Sequence, residues 1–219
     1  MNPLPPLSLL ETRVLGVLVE KEKTVPDTYP LSLNALTLGC NQKNNREPVL
    51  VAADSEVLAA VEQLKAADWV IESSGARVTR YSHNVGRVLR VPQQSVALLA
   101  ALMLRGPQTA AELRAVTERL HRFADTSSVE AFLDELANRP QAEGGPLVVL
   151  LPRRPGEREE RWAHLLSGPL EAEATQPARP PAAPAEAGAL QQRLDALEAE
   201  LAQLRAEVAA LRARLHEGR

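Results

Sequence analysis

The sequence predicts a mainly helical protein with small β-wings, built as two similar domains followed by a linker and a terminal helix. Three observations lead to this fold class. Of 219 residues, 45% are hydrophobic but only 3% are aromatic, so the core must consist mostly of Leu, Val and Ala, which favours helices. One helix-and-strand pattern occurs twice before residue 167, and a strict leucine heptad ends the chain.

The repeat is clearest at the third helix of each copy. Four residues of the first copy have counterparts 72 positions later: Ser55 with Ser127, Val57 with Val129, Val61 with Leu133, and Leu64 with Leu136. A strand, a polar turn and a second strand are predicted after each helix. These lie at 69–71, 73–75 and 77–83 in the first copy, and at 147–151, 152–156 and 161–166 in the second.

Two further helices precede each third helix. The apolar spacing predicts helices over 8–21, 31–40 and 54–68 in the first copy, and over 93–104, 109–120 and 127–139 in the second. Three of the starts also have the spacing of a capping box, Ser8 with Glu11, Thr109 with Glu112, and Ser127 with Glu130. Three helices closed by a two-stranded hairpin is the order of a winged helix. The sequence therefore predicts two tandem winged-helix domains, over 8–90 and 91–166.

The C-terminal part of the chain has two segments. Residues 167–189 are rich in Pro, Ala and Glu and have no apolar stripe, which predicts a flexible linker. Residues 190–216 follow a heptad, which predicts a coiled-coil helix. The apolar heptad positions are Leu190, Leu194, Leu197, Leu201, Leu204, Val208, Leu211 and Leu215.

Charges beside the heptad favour a parallel homodimer. In a parallel pair, three attractive contacts form between the helices: Arg193 with Glu198, Glu200 with Arg205, and Glu207 with Arg212. Each exposed pair contributes less than ~1 kcal/mol, so the pairs set orientation rather than affinity. A trimer is an alternative to the dimer, because no polar residue in the heptad core fixes the number of helices. The alternative to self-association is a helix folded back on its own domain.

Three motifs resemble those of one bacterial family. They are LGVLVEKEKTVPDTYPLSLNALTLGCNQKNNREPV at 15–49, LRGPQTAAELRAVTERLHRF at 104–123, and REERWAHLL at 158–166. Together they resemble the YceH-like proteins, a family of unknown function, over residues 8–166. The resemblance implies a tandem winged-helix fold and no particular activity. One departure is Trp162, which stands where the family is expected to have tyrosine.

The charge distribution disfavours the usual way in which winged helices bind DNA, with the third helix in the major groove. The net charge is −3, and no segment is strongly basic. Residues 54–68 carry four carboxylates against one lysine, and residues 127–139 carry three against one arginine. Because affinity for DNA comes largely from neutralising its phosphates, acidic third helices are expected to bind DNA poorly.

Two groups of residues remain as candidate contacts with nucleic acid or a partner protein. The first is the polar run after the second helix: Asn41, Gln42, Lys43, Asn44, Asn45 and Arg46. The second is a set of arginines on the hairpins and their exits: Arg77, Arg80, Arg87, Arg153 and Arg154. Amide and basic side chains bind phosphates, bases or backbone carbonyls. The alternatives are a capping turn at 41–48 and solvated hairpins whose arginines pair with neighbouring carboxylates.

No catalytic residue, cofactor or metal site is predicted. The four histidines lack metal-ligand spacing, and no glycine-rich phosphate loop occurs. The single cysteine, Cys40, excludes an internal disulfide and is expected to be a buried small residue. The longest apolar run has nine residues, at 96–104, and no secretory signal is readable. We therefore expect a cytoplasmic protein without membrane attachment.

Two functions fit these observations. The first is a non-enzymatic DNA-binding or regulatory protein that dimerises through its tail. The second is a protein-interaction scaffold, in which the acidic third helices dock a basic or apolar partner protein. Salt dependence separates them, because contacts to phosphate weaken steeply between ~50 and ~200 mM salt whereas apolar contacts do not.

Overall fold

The computed structural model of the chain describes residues 5–74, 78–153 and 159–168, which fall within one compact unit over residues 1–170. The described chain is mainly helical and carries two small antiparallel sheets, which confirms the predicted class at this level. Several predicted features lie outside the described residues. They are Arg77, Arg154, the linker beyond residue 168, and the coiled-coil helix at 190–216 with its heptad residues.

The first half of the described chain runs from α1 to α4. Its elements are α1 (Leu9–Thr24), β1 (Leu31–Ser32), α2 (Leu33–Cys40), α3 (Asp54–Ala66), β2 (Val70–Ser74), β3 (Thr79–His83) and α4 (Val85–Leu89). The sheet has the order β1-β3-β2, with both pairs antiparallel. The three predicted helices and two strands are present with shifted ends. The sequence did not predict β1 and α4, since two and five residues are too few to show a period.

The second half repeats this order more simply. Its elements are α5 (Gln93–Arg105), α6 (Ala110–Thr117), α7 (Thr126–Ala137), β4 (Val148–Leu151) and β5 (Arg161–His164). An isolated antiparallel bridge joins Gln108 to Trp162, directly before α6. In the first half, Leu31 lies opposite Tyr81, directly before α2. The repeat therefore extends to the strand contact that precedes each second helix, beyond what the sequence pattern predicted.

The helix starts confirm two capping predictions and correct one. Ser8 and Thr109 cap α1 and α6, each in a reciprocal capping box with the glutamate three residues later. The third prediction, Ser127 with Glu130, is wrong. Helix α7 begins at Thr126, and the Asp125 carboxylate accepts the Ser128 N–H at 2.7 Å. A carboxylate is favoured there because it also interacts with the positive end of the helix dipole.

One continuous core joins the two halves, with α1 and α5 packed against each other. Every residue is buried over 12–19 in α1 and over 95–104 in α5. A Cβ on Gly16 would lie 2.8 Å from Cγ of Leu104, so the close approach of these helices requires glycine. The six matched apolar residues of the 72-residue repeat are buried too: Val57, Val61, Leu64, Val129, Leu133 and Leu136. The domain boundary between residues 90 and 91 stays a prediction.

Within the parts of the chain that the structure describes, no helix is both long enough and apolar enough to span a bilayer.

Candidate functional site

Residues 41–48 connect α2 to the segment before α3, and we call them the 41–48 loop. The Asn41 side chain fixes the chain beyond this loop. Its Oδ1 accepts the N–H of Ala52 and its Nδ2 donates to the Ala52 carbonyl, both at 2.8 Å. This is the backbone-bonding role of the capping alternative. The Asn41 amide is therefore occupied within the fold.

Arg46 is buried beneath the loop, with 5% of its surface exposed. Its Nη1 donates to Glu20 Oε2 at 2.9 Å, its Nη2 donates to Gln42 Oε1 at 2.8 Å, and its Nε donates to the Gly39 carbonyl at 3.2 Å. Burial raises the pKa of Glu20, but hydrogen bonds from Arg46 and Lys21 lower it further, so the net shift is downward. Arg46 thus acts within the fold, as a support of the loop.

A second buried arginine, Arg13 of α1, holds both ends of the loop. Its Nη1 donates to the Cys40 carbonyl at 3.1 Å, and its Nη2 donates to the Pro48 carbonyl at 2.6 Å. The first bond satisfies a carbonyl that the end of α2 leaves without a helical partner, and the second holds the far end of the loop. Burial and the nearby charge of Arg46 lower the pKa of Arg13. This role of Arg13 was not predicted from the sequence, in which the available signal was a lone basic residue inside the apolar stretch of α1.

The exposed side of the 41–48 loop faces a cleft of 460 Å³ between the two halves, which we call the basic cleft. The loop and the end of α1 line one side, and the ends of α5 and α6 line the other. The loop is joined to α5 across this boundary, because the Glu47 N–H donates to the Leu104 carbonyl at 2.8 Å. The basic cleft is therefore built by both halves on a fixed backbone.

Four basic side chains and one carboxylate line the basic cleft. Lys21 forms an ion pair with that carboxylate, Glu20, at 2.8 Å. Within the described residues, no carboxylate lies at ion-pair distance from the other three: Lys43, Arg105 and Arg119. Burial is the main reason that the pKa of Arg105 is lowered. The surplus of positive charge makes the cleft suited to an anionic ligand.

The structure places the predicted contact residues in different positions. Gln42, Lys43, Asn44 and Asn45 line the basic cleft, while Asn41 and Arg46 serve the fold behind it. Arg105 and Arg119 were not among the predicted contacts. They lie near the ends of α5 and α6, and only the packing of the two halves brings them to the loop. The available signal was their place in the second family-like motif, at 104–123.

The described hairpin arginines do not line the basic cleft. Arg80 is exposed and its Nη1 donates to the Pro30 carbonyl at 2.7 Å. Arg87 is exposed on α4, and Arg153 is exposed after β4. Contact of these three residues with nucleic acid or protein stays a prediction.

The surfaces of the third helices are acidic. A groove of 400 Å³ beside α7 and the second hairpin, which we call the acidic groove, has four carboxylates and one basic residue in its lining: Glu130, Asp134, Glu159, Glu160 and Arg153. On α3, Glu62 and the neighbouring Glu72 of β2 both form ion pairs with Lys65. Both third helices therefore present a surface that repels phosphate.

Burial shifts the pKa of two further reactive side chains, Cys40 and His164. Cys40 is fully buried, as expected, and burial raises its pKa to about 12. Burial lowers the pKa of His164 to about 4. Across residues 5–74, 78–153 and 159–168, no group of three His, Cys, Asp or Glu residues has an arrangement that could hold a metal ion.

Comparison with known proteins places the whole basic cleft in a matched region. Residues 7–157 match the model of a family described as protein of unknown function, DUF480. A UPF0502 protein of Methylibium petroleiphilum is 67% identical over 172 residues, which cover 78% of this chain and 72% of the relative. A UPF0502 protein of an Acidovorax species is 57% identical over 191 residues, covering 86% of this chain and 85% of the relative.

Proposed function

Since the chain belongs to the DUF480 family of bacterial proteins of unknown function, we propose its role from the geometry: it binds nucleic acid non-enzymatically in the basic cleft. One observation carries this proposal. Lys43, Arg105 and Arg119 line a single cleft and form no ion pair at contact distance within the described residues. Nucleic acids supply the dense negative charge that such a cluster attracts.

We further propose that each half is a winged helix, in tandem. The order of three helices followed by a hairpin supports this reading, as does the strand contact that precedes each second helix. The mode of binding differs from the usual one. The third helices, which would enter the major groove, are acidic, so the ligand is received by the loop between the second and third helices of the first half.

The rigidity of the loop supports this mode. Arg13 and Arg46 hold the carbonyls of Gly39, Cys40 and Pro48, so both ends of the loop are fixed before a ligand binds. Binding then costs less conformational entropy than it would on a mobile loop. Hydrogen-bond donors on a fixed loop also keep their positions, and contacts to the phosphates of a nucleic acid set the register and orientation of the bound protein.

The predicted coiled coil at 190–216 gives this proposal a second part. A homodimer would present two basic clefts to one strand, and tethered sites bind more tightly than single ones. Deleting residues 168–219 should convert a dimer to a monomer in light scattering. An unchanged mass would contradict the coiled-coil assignment.

The test of the proposal is a salt titration of binding to a labelled oligonucleotide, followed by fluorescence anisotropy. If three cations neutralise phosphates, affinity should fall roughly 20- to 40-fold between ~50 and ~200 mM salt. The Lys43→Ala variant should bind more weakly and lower the salt slope by about 1. The matched control is Arg87→Ala, since Arg87 is an exposed arginine outside the cleft. A loss with Arg87→Ala and none with Lys43→Ala would place contact at α4 instead.

A protein-interaction scaffold is the second candidate, and the acidic groove favours it. Four carboxylates line the groove together with Leu150, which is 40% exposed, so the groove suits a basic segment with an apolar residue. Capture from native cytoplasm with and without nuclease separates the candidates. A partner retained after nuclease treatment and lost in Glu130→Lys would support the scaffold.

A further inference from the structure

We propose that the basic cleft binds an unpaired nucleotide, with its phosphate and the adjoining phosphates of a strand on the three cations and the face of its base on the apolar wall. This inference rests on the proposed function and specifies the ligand of the same site. A single strand and a free nucleotide share this chemistry. Each has a phosphate joined through a sugar to a base that is not paired with a complementary base.

The dimensions of the cleft support an unpaired nucleotide over a duplex. A volume of 460 Å³ lies within the range of about 300–1,000 Å³ of sites that enclose small ligands. A duplex exposes phosphates on a wide surface and keeps its bases stacked inside, so only its edge could reach such a cleft. Unpaired bases can be splayed out and enter a cleft individually.

The wall chemistry gives the second reason. Val25, Val116 and Leu120 line the cleft beside the cations, and Val25 is 40% exposed. A phosphate alone would leave this apolar surface in water. The face of a base would cover this apolar surface, because every base has a π-face, whatever the sequence of the strand. The wall is aliphatic, so this contact is less specific than stacking on an aromatic ring.

The rim of the cleft offers hydrogen bonds to the edge of a base. Asn44 and Asn45 are exposed, and their side-chain amides form no hydrogen bond within the described residues. Each amide has both donors and an acceptor, which match the mixed edge of an unpaired base. In a duplex, this edge is occupied by the complementary base. The amides therefore add a reason for the cleft to prefer an unpaired nucleotide.

Competition binding with the full-length protein tests this inference. The probe is fluorescently labelled single-stranded (dT)₁₀, and the competitors are unlabelled (dT)₁₀, a ten-base-pair duplex, thymidine monophosphate and inorganic phosphate. The single strand should bind at least tenfold more tightly than the duplex. Thymidine monophosphate should compete at lower concentration than inorganic phosphate, because only the former supplies a base.

Two variants separate the wall from the cations. Val25→Ser should weaken (dT)₁₀ binding at least threefold and leave the salt slope unchanged, since it removes apolar surface and no charge. Lys43→Ala should lower the slope, as above. Circular dichroism melting of both variants checks that the fold is kept. If Val25→Ser fails to fold, the comparison of single strand with duplex on the unaltered protein still decides the question.

The outcomes distinguish this inference from the proposed function. Duplex binding as tight as single-strand binding, still weakened by Lys43→Ala, would overturn the unpaired-nucleotide inference and leave nucleic-acid binding standing. Binding of thymidine monophosphate without binding of either oligonucleotide would support the unpaired nucleotide and overturn the proposed function. No binding by any of the probes would overturn both.

Discussion

The two halves of the described chain share a framework and differ where the second helix connects to the third. In the second half, α6 ends at Thr117 and α7 begins at Thr126, a connection that places Phe123 in the core. In the first half, α2 ends at Cys40 and α3 begins at Asp54, and two buried arginines support the intervening chain. The repeated elements build the common core. The unrepeated loop, together with the helix ends of the other half, builds the candidate site.

A second difference concerns two histidines in equivalent places. His83 lies opposite Val70 at the end of the first hairpin, and His164 lies opposite Val148 at the end of the second. Glu22 Oε2 lies 3.4 Å from His83 Nε2, whereas the shift at His164 comes from burial alone. Burial lowers the pKa of both histidines, and at His83 Glu22 opposes the shift. Equivalent positions of the repeat thus have different charge environments.

The largest effect is expected when the support of the loop is removed. Arg46→Ala removes the buried partner of Glu20, which keeps its ion pair with Lys21. Breaking a buried ion pair from one side costs about 3–5 kcal/mol, and because Glu20 is not left unpaired we expect the unfolding free energy to fall by about 3 kcal/mol, at the lower end of that range. Urea unfolding measures this loss. The matched control is the exposed neighbour, Lys43→Ala, which should change stability by less than about 0.5 kcal/mol. Equal effects of the two substitutions would contradict the supporting role of Arg46.

The helices could be predicted from the sequence because their information is local. The 72-residue offset predicted matched residues that are both buried, such as Val57 and Val129, and the capping spacing of Ser8 predicted the start of α1. The basic cleft could be predicted only in part. Lys43 followed from the polar run, but Arg105 and Arg119 join it only through the packing of the two halves. Arg46 looked like a surface charge, because a sequence does not show which carboxylate will pair with a buried arginine.

The largest effect on binding concerns the second half's share of the cleft. The double substitution Arg105→Ala and Arg119→Ala should weaken binding of a single-stranded oligonucleotide about 30-fold, equivalent to about 2 kcal/mol. Fluorescence anisotropy at ~50 mM salt measures it. The control removes charge from the third helix of the same half, Glu130→Gln with Asp134→Asn, and should leave affinity within about twofold. A stronger effect of the control would mean that α7 contacts the ligand.

The two equivalent histidines, His83 and His164, should change the free energy of unfolding by different amounts as the pH falls. The folded pKa of His164 is about 4, below the ~6.5 of an unfolded histidine, so the folded state binds fewer protons between these values. The contribution of His164 to the free energy of unfolding is therefore fully present above pH ~6.5 and is lost as the pH falls towards 4, by about 3 kcal/mol. Urea unfolding of His164→Gln between pH 7 and 4.5 should show a flatter dependence. His83→Gln should change the pH dependence of the unfolding free energy less than His164→Gln does. The reverse order would contradict the conclusion that Glu22 opposes the pKa shift of His83.

The smallest effect compares the caps of the two second helices. Thr109 accepts the Glu112 N–H at 3.1 Å and the Glu112 carboxylate accepts the Thr109 N–H in return. Ser32 accepts the Ala35 N–H at 3.4 Å and has no reciprocal partner. Thr109→Ala should therefore cost about 1 kcal/mol and Ser32→Ala about half of that. Thermal unfolding measures both, and a larger cost at Ser32 would reverse the expected ranking.

The most direct test of the central claim is a map of ligand contacts on the backbone. In ¹⁵N–¹H correlation spectra of the full-length protein titrated with (dT)₁₀, we expect the amides of residues 42–45, 105 and 116–120 to shift together with one dissociation constant. The amides of α3 and α7 should remain unchanged. Shifts concentrated in α3 or α7, with the 41–48 loop unaffected, would contradict the claim that the basic cleft receives nucleic acid.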